Sequence, residues 1–162
     1  MIGKPIFRPM SRRRLLAATC SVPLALASGC RNEKELRVLN PLSLNRIGVN
    51  EVIRLRDLLE QPAQHVCLLA PYRDRLEENE PLSRQVNAHL VAMNLTLHDS
   101  GFALVIVNGD KVNVQILSVA RHNIMFWHEA VQRIAKPLGC AQVDRVLVTR
   151  TYDGWLVFGE ER

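Results

Sequence analysis

Acidic residues are missing from the first 30 positions of this 162-residue chain, and several features that would identify a protein class are missing throughout. The apolar run at residues 15–27 is shorter than the roughly 20 residues that a membrane-spanning helix needs, and Pro23 would interrupt such a helix. The sequence contains no internal repeat, no low-complexity tract and no glycine-rich phosphate loop. A permanent membrane helix at this run, a repeat protein and a phosphate-loop nucleotide-binding protein are therefore excluded.

Catalytic and metal-binding motifs are also missing from the sequence. His98, Asp99 and Ser100 combine the residue types of a catalytic triad, but neighbouring residues point in different directions, and no Gly-x-Ser-x-Gly motif surrounds Ser100. His122 and His128 are six positions apart, so one helix would not turn both towards the same metal ion. We therefore predict a polar turn at residues 98–100, a helix with two partly exposed histidines, no catalytic residue, no metal site and no bound cofactor.

The first 30 residues combine basic, apolar and small residues in a characteristic order. All five cations precede the apolar run at 15–27, and Ala27-Ser28-Gly29 leads directly into Cys30. This order resembles a bacterial lipoprotein signal that ends in a lipobox, although Ala27 occupies the position where that family usually has leucine. The resemblance implies that residues 1–29 are removed and that lipid is attached to the sulfur of Cys30. The alternative is an ordinary secretory signal in which Cys30 is incidental.

The basic part of this segment also resembles a twin-arginine export signal. Arg12 and Arg13 lie in Ser11-Arg12-Arg13-Arg14-Leu15-Leu16, with Leu15 where phenylalanine is common. The arginines serve equally well as plain positive charge in a general secretory signal, so both export routes stay open. Arg31 follows the cysteine, and the family's enteric sorting rule retains a lipoprotein in the inner membrane when aspartate stands there. The resemblance therefore implies the outer membrane, with the domain facing the periplasm.

The charge balance of the chain changes at Cys30. The whole chain has a formal charge of +5, but the five cations before Cys30 are lost with the signal, which leaves 16 basic and 16 acidic residues. A neutral domain has no large field of one sign to attract a polyanion. We therefore expect attachment to the membrane through Cys30 and no nucleic-acid partner.

Two of the four cysteines remain once the signal and the lipid are accounted for. Cys20 leaves with the signal and Cys30 carries the lipid, so that Cys67 and Cys140 are left in an oxidising compartment. Such a pair favours a disulfide bond. The alternative is two buried free thiols, whereas a metal site would have too few ligands.

The rest of the sequence predicts an α+β domain with a small antiparallel sheet, two helices and one disulfide bond. Two Asn-Gly or Asp-Gly signals, at residues 108–109 and 153–154, predict hairpins and hence antiparallel neighbours. We expect a lipidated tether at residues 30–48 and a single domain at 49–162. Residues 51–60 fit either a helix or a strand. The predicted strands are at 65–70, 102–107, 112–116, 143–149 and 155–158, and the strand at 112–116 has one face exposed to water. The predicted helices are at 82–97 and 121–136, and Cys140 lies just after the second helix. We expect Trp127, Trp155 and Phe158 in the core.

The function suggested by these features is binding of another protein at the membrane. The pattern of a short strand with Cys67, later paired strands and a late Cys140 resembles small enteric periplasmic lipoproteins described as type VI secretion immunity proteins. That resemblance implies neutralisation of a toxin in the periplasm and transfers no binding residues. Two alternatives are a secretion accessory lipoprotein of the pilotin kind and an envelope enzyme that uses His98 or His128.

Overall fold

The computed structural model describes residues 38–162, so the predicted signal, with Arg12 and Arg13, and the predicted lipidation at Cys30 lie outside the described residues. Within 38–162, no helix is long and apolar enough to cross a membrane. The elements of this part of the chain are α1 (Pro41–Asn45), β1 (Val52–Arg54), β2 (His65–Leu69), α2 (Ser83–Ala92), β3 (Gly101–Asn108), β4 (Lys111–Ser118), α3 (Val119–His122), β5 (Ile124–Met125), β6 (Ala135–Pro137), β7 (Cys140–Gln142), β8 (Val146–Arg150) and β9 (Leu156–Glu161).

The strands form two sheets. The five-stranded sheet has the order β1-β8-β9-β5, with β6 also paired to β9, and the four-stranded sheet has the order β4-β3-β2-β7. Every pair is antiparallel except β5 with β9. The predicted α+β class, antiparallel pairing and both hairpins are confirmed. Residues 51–60 contain β1 and then a 3-10 turn at Leu55–Leu58, so neither a helix nor a strand accounts for the whole segment.

Strand β3 lies at the centre of the packing because both of its faces are buried. Alternate residues, such as Leu104, belong to the core between the two sheets, together with Phe158 of β9. The residues between them, such as Val105, belong to a second core with Val86 and Leu90 of α2. An almost continuous apolar run is what a strand buried on both faces requires, and α2 therefore covers the outer side of the four-stranded sheet.

The disulfide bond between Cys67 and Cys140 is present, as the cysteine count predicted. The two residues are direct neighbours on β2 and β7, with their Cα atoms 4.1 Å apart. Cys140 follows a strand connection rather than the end of a helix, so the position expected for the bond was wrong although the pairing was right. Its backbone N–H points away from β2 and donates to the carboxylate of Glu80 at 3.1 Å.

The tether predicted at residues 30–48 is wrong for residues 38–48. Val38, Leu39 and Leu44 are at most 1% exposed and belong to the core between the sheets. The amide of Gln115 bonds both the N–H and the C=O of Leu39, at 2.8 and 2.9 Å. The side chain of Asn40 accepts from the N–H of Leu42 and starts α1. Residues 38–48 therefore belong to the folded domain, which does not begin at residue 49.

The helix predicted at residues 121–136 is also wrong. Helix α3 ends after one turn because Asn123 adopts a left-handed conformation at φ 51°, which terminates helices. The chain then pairs with β9 twice, through β5 and again through β6, with a 3-10 turn at Glu129–Val131 between them. Pairing to β9 satisfies the backbone groups that a helix would have satisfied internally, so tertiary contacts override the helical pattern.

The wet face predicted for β4 is found only in part. On the polar face Lys111 is exposed, whereas Asn113 and Gln115 are half-buried and Gln115 bonds to Leu39. On the apolar face Val112 and Val114 pack half-buried against the core that contains α2, and Ile116 is 59% exposed.

Candidate protein-docking surface

The turn between β8 and β9, residues 151–155, is built around the side chain of Thr151. Its hydroxyl accepts from the N–H of Trp155 at 3.0 Å and donates to the carboxylate of Asp153. The backbone N–H of Thr151 donates to the C=O of Trp155 at 2.8 Å, and Gly154 supplies the left-handed position at φ 90°. Thr151 is only 2% exposed. The turn therefore has its hydrogen bonds formed before any partner arrives.

Arg150 connects this turn to the N-terminal segment. Its guanidinium donates to the C=O of Gly154 at 2.8 Å, of Ile47 at 3.0 Å and of Leu44 at 2.9 Å. Three carbonyl groups from two parts of the chain are thus held by one planar group with fixed donor directions. The segment at 38–48, which was expected to be a tether, is therefore joined to the turn through Arg150.

A second loop, at residues 126–134, reaches the same turn through His128. The imidazole Nε2 lies 3.3 Å from Oδ2 of Asp153, and the His128 ring meets the Tyr152 ring edge to face at 6.2 Å. The pKa of Asp153 lies below its ordinary value, mainly because the Thr151 hydroxyl donates a hydrogen bond to the carboxylate. The charge of His128 and its hydrogen bond to Asp153 lower the pKa to a smaller extent. Asp153 therefore stays ionised at neutral pH and joins the two loops.

Aromatic side chains are concentrated on these two loops. Four of the chain's eight phenylalanine, tyrosine and tryptophan residues are here. Tyr152 is 72% exposed and Phe126 is 39% exposed, whereas the two tryptophans are half-buried. The tryptophans were predicted in the core but belong to neither of the two cores, while the prediction for Phe158 is confirmed. We call these two loops' ring-bearing residues, Phe126, Trp127, His128, Tyr152 and Trp155, the aromatic loop surface; the contact between His128 and Tyr152 joins its two parts.

The polar groups of this surface have structural partners. The hydroxyl of Thr151 bonds to Asp153 and to the backbone of Trp155. A triad nucleophile would instead donate its proton to the imidazole that acts as its base. The arrangement thus orients Tyr152 and holds the turn closed, and aromatic side chains of this kind are enriched at protein interfaces.

The other histidines singled out in the sequence lie elsewhere. His98, Asp99 and Ser100 are exposed at a turn before β3, as predicted. His122 is 4% exposed, with Nδ1 3.5 Å from Oδ1 of Asn45, so the expected helix with two partly exposed histidines is wrong. Within residues 38–162, no group of three or more histidine, cysteine or acidic side chains is placed to hold a metal ion.

Tyr152 and Phe126 were not predicted as surface residues. One signal was present, because Tyr152 directly precedes the Asp153-Gly154 turn signal, and residues at such a turn are often exposed. No protein-family model, curated protein or solved structure matches this chain.

Proposed function

We propose that the protein is a lipid-anchored lipoprotein that faces the periplasm and binds another protein through the aromatic loop surface. The observation that carries this proposal is the turn at 151–155, which is closed by its own hydrogen bonds and presents Tyr152 with 72% of its surface exposed. A preorganised aromatic side chain loses little conformational freedom on binding, which favours it as an interface hot spot. The partner we propose is a periplasmic toxin that the domain neutralises.

The burial of residues 38–48 sets how far an anchor at Cys30 would let the domain move from the membrane. Val38 is 1% exposed, so only residues 31–37 separate the core from Cys30. Eight residue steps span at most about 28 Å when fully extended. A domain of this size has a diameter of roughly 35 Å. A lipid on Cys30 would therefore keep the domain within about one domain diameter of the membrane.

The anchoring is tested by replacing Cys30 with serine in the full-length chain. We expect incorporation of labelled palmitate into the wild-type protein and release of the Cys30→Ser protein from the membrane fraction. Cys20→Ser is the matched control and should remain in the membrane. Equal lipid labelling of wild type and Cys30→Ser would contradict the anchor without bearing on the docking surface.

The docking surface is tested with a photo-activated crosslinking residue at position 152. Tyr72, which is 76% exposed on the loop before α2, is the matched control position. We expect a defined crosslinked protein in intact cells with the probe at 152 and not at 72. The same crosslinks at both positions, or none at 152, would contradict the assignment of this surface.

The toxin-neutralising role has its own test. Cells that lack the gene should become sensitive to neighbouring cells that deliver the toxin, and the wild-type gene should restore protection while a Tyr152→Ala gene should not. Unchanged sensitivity after deletion would contradict immunity and leave protein binding to be judged by the crosslinking experiment.

A further inference from the structure

Strand β4 forms one edge of the four-stranded sheet, and its outer side carries backbone groups that make no hydrogen bond within residues 38–162. The hairpin closes with the pair Asn108–Lys111, and the N–H of Val119 donates to Ser100 at 2.8 Å in the same register. Hydrogen-bonded and non-hydrogen-bonded pairs alternate along an antiparallel ladder. The residues of β4 in the non-hydrogen-bonded pairs therefore point their N–H and C=O groups away from β3. These residues are Val112, Val114, Ile116 and Ser118. Ser118 is the N-cap of α3, and the outward groups of the other three have no hydrogen-bond partner among the described residues.

This edge has little of the protection that sheet edges normally have. Eight consecutive residues of β4 pair with β3 without a bulge, and positions 112–118 contain no proline and no charged side chain. Ile116, two residues before the C-terminal end of β4, is 59% exposed. A long, regular and uncharged edge is a template for pairing with another strand.

The side-chain pattern of β4 is complementary to itself. In an antiparallel pair centred on Val114, Val112 of one strand lies opposite Ile116 of the other, so apolar residues meet on one face. Asn113 lies opposite Gln115 on the other face, and both are amides. Lys111, the only charged residue of β4, lies opposite Leu117 and not opposite another lysine, so the register has no like-charge repulsion.

We propose that β4 pairs with β4 of a second copy of this chain about a two-fold axis at Val114. All outward N–H and C=O groups of residues 112, 114 and 116 then meet a partner, because those three positions face one another in this register. The two four-stranded sheets join into one continuous sheet, and the interface is isologous. The occupant is a second copy rather than an unrelated peptide because hydrogen-bond register, apolar pairing and charge all match within the same strand.

Cysteine crosslinking of the full-length chain tests this register. Val114→Cys places a thiol beside its own copy at the two-fold axis, and we expect a covalent dimer after mild oxidation that disappears on reduction. Val91→Cys, at a position with the same 59% exposure as Ile116 but on α2, is the control for random collision. Wild type gives the background from the native cysteines. A dimer yield with Val114→Cys no higher than with Val91→Cys would overturn the proposal.

A second substitution separates pairing from loss of the fold. Ile116→Lys places a charge at the seam while the side chain remains exposed in a single copy, so the monomer should fold with an unchanged circular dichroism spectrum. We expect the Val114→Cys crosslink to fall at least tenfold when Ile116→Lys is added and to persist when Val91→Lys is added. A crosslink that persists with Ile116→Lys, or replacement of the dimer by a complex with a different protein at this edge, would contradict pairing with a second copy.

Discussion

Replacing Leu44 by alanine distinguishes a folded N-terminal segment from a tether. Leu44 is fully buried on α1 between the two sheets, while Leu42, on the same short helix, is 64% exposed. Removing a buried leucine side chain costs about 2–5 kcal/mol, because the transfer free energy is lost and a cavity remains. An exposed leucine changed to alanine costs within about 0.5 kcal/mol. Leu42→Ala is therefore a matched control for Leu44→Ala.

We expect Leu44→Ala to lower the free energy of unfolding by about 3 kcal/mol and the melting temperature by roughly 10 °C for a domain of this size. Urea denaturation followed by tryptophan fluorescence gives the first quantity, and a thermal scan gives the second. Leu42→Ala should match the wild type in both. Equal stability of the two variants would refute the account, since it would show that residues 38–48 do not contribute to the core.

Three further predictions concern the interior and the turn. Burial, with the nearby positive charges of Arg121 and Arg150, lowers the pKa of His122 below 6.5. Because the unfolded state then binds more protons than the folded state just below pH 6.5, the free energy of unfolding should fall on acidification from that pH. His122→Gln should flatten this pH dependence in urea titrations from about pH 7 to 5, and an unchanged slope would contradict the prediction. Thr151→Val should cost about 2 kcal/mol because the N–H of Trp155 loses its acceptor, whereas Thr151→Ser should keep most of the stability; equal urea midpoints for the two variants would speak against the turn structure. The disulfide bond between Cys67 and Cys140 closes a loop of 73 residues and should contribute about 4 kcal/mol to the free energy of unfolding in the chain-entropy model. A reductant should therefore lower the urea midpoint, and an unchanged midpoint would argue against this disulfide bond.

The parts of the fold that depend on local pattern could be predicted from the sequence. The apolar run at 102–107 gives β3 because a strand covered on both sides needs apolar residues throughout. Asn108-Gly109 gives the following hairpin because Gly109 takes a left-handed conformation. The cysteine count gave the partners of the disulfide bond but not the strands that place them side by side.

The parts that depend on distant partners could not be predicted. Residues 121–136 have an approximate helical stripe, yet β9 offers pairing at both ends of the segment and breaks the helix. Residues 38–48 follow a charged stretch and contain Pro41 and Gly48, which favoured a tether, although five of the eleven residues are valine, leucine or isoleucine. Their place in the core depends on the packing of Leu39 and Leu44 between the sheets, which the local pattern does not show.

Only one of the two loops of the candidate docking surface, the turn at 151–155, could be located from the sequence. The Asp153-Gly154 signal located the turn, but nothing local indicated that His128 would reach Asp153 or that Arg150 would hold the turn to Leu44 and Ile47. Each of these contacts joins segments separated by more than 20 residues. A surface assembled from distant loops therefore becomes apparent only when the fold is known.

The most direct test of the central claim is the affinity of the crosslinked partner for Tyr152→Ala and Tyr72→Ala variants of the full-length protein. Both tyrosines are more than 70% exposed, so neither substitution should alter the fold. If the aromatic loop surface is the docking site, Tyr152→Ala should raise the Kd at least about 30-fold, as a loss of roughly 2 kcal/mol at a hot spot does, and Tyr72→Ala should leave it within about twofold of wild type. An unchanged Kd for Tyr152→Ala, or an equal loss for both variants, would contradict the claim.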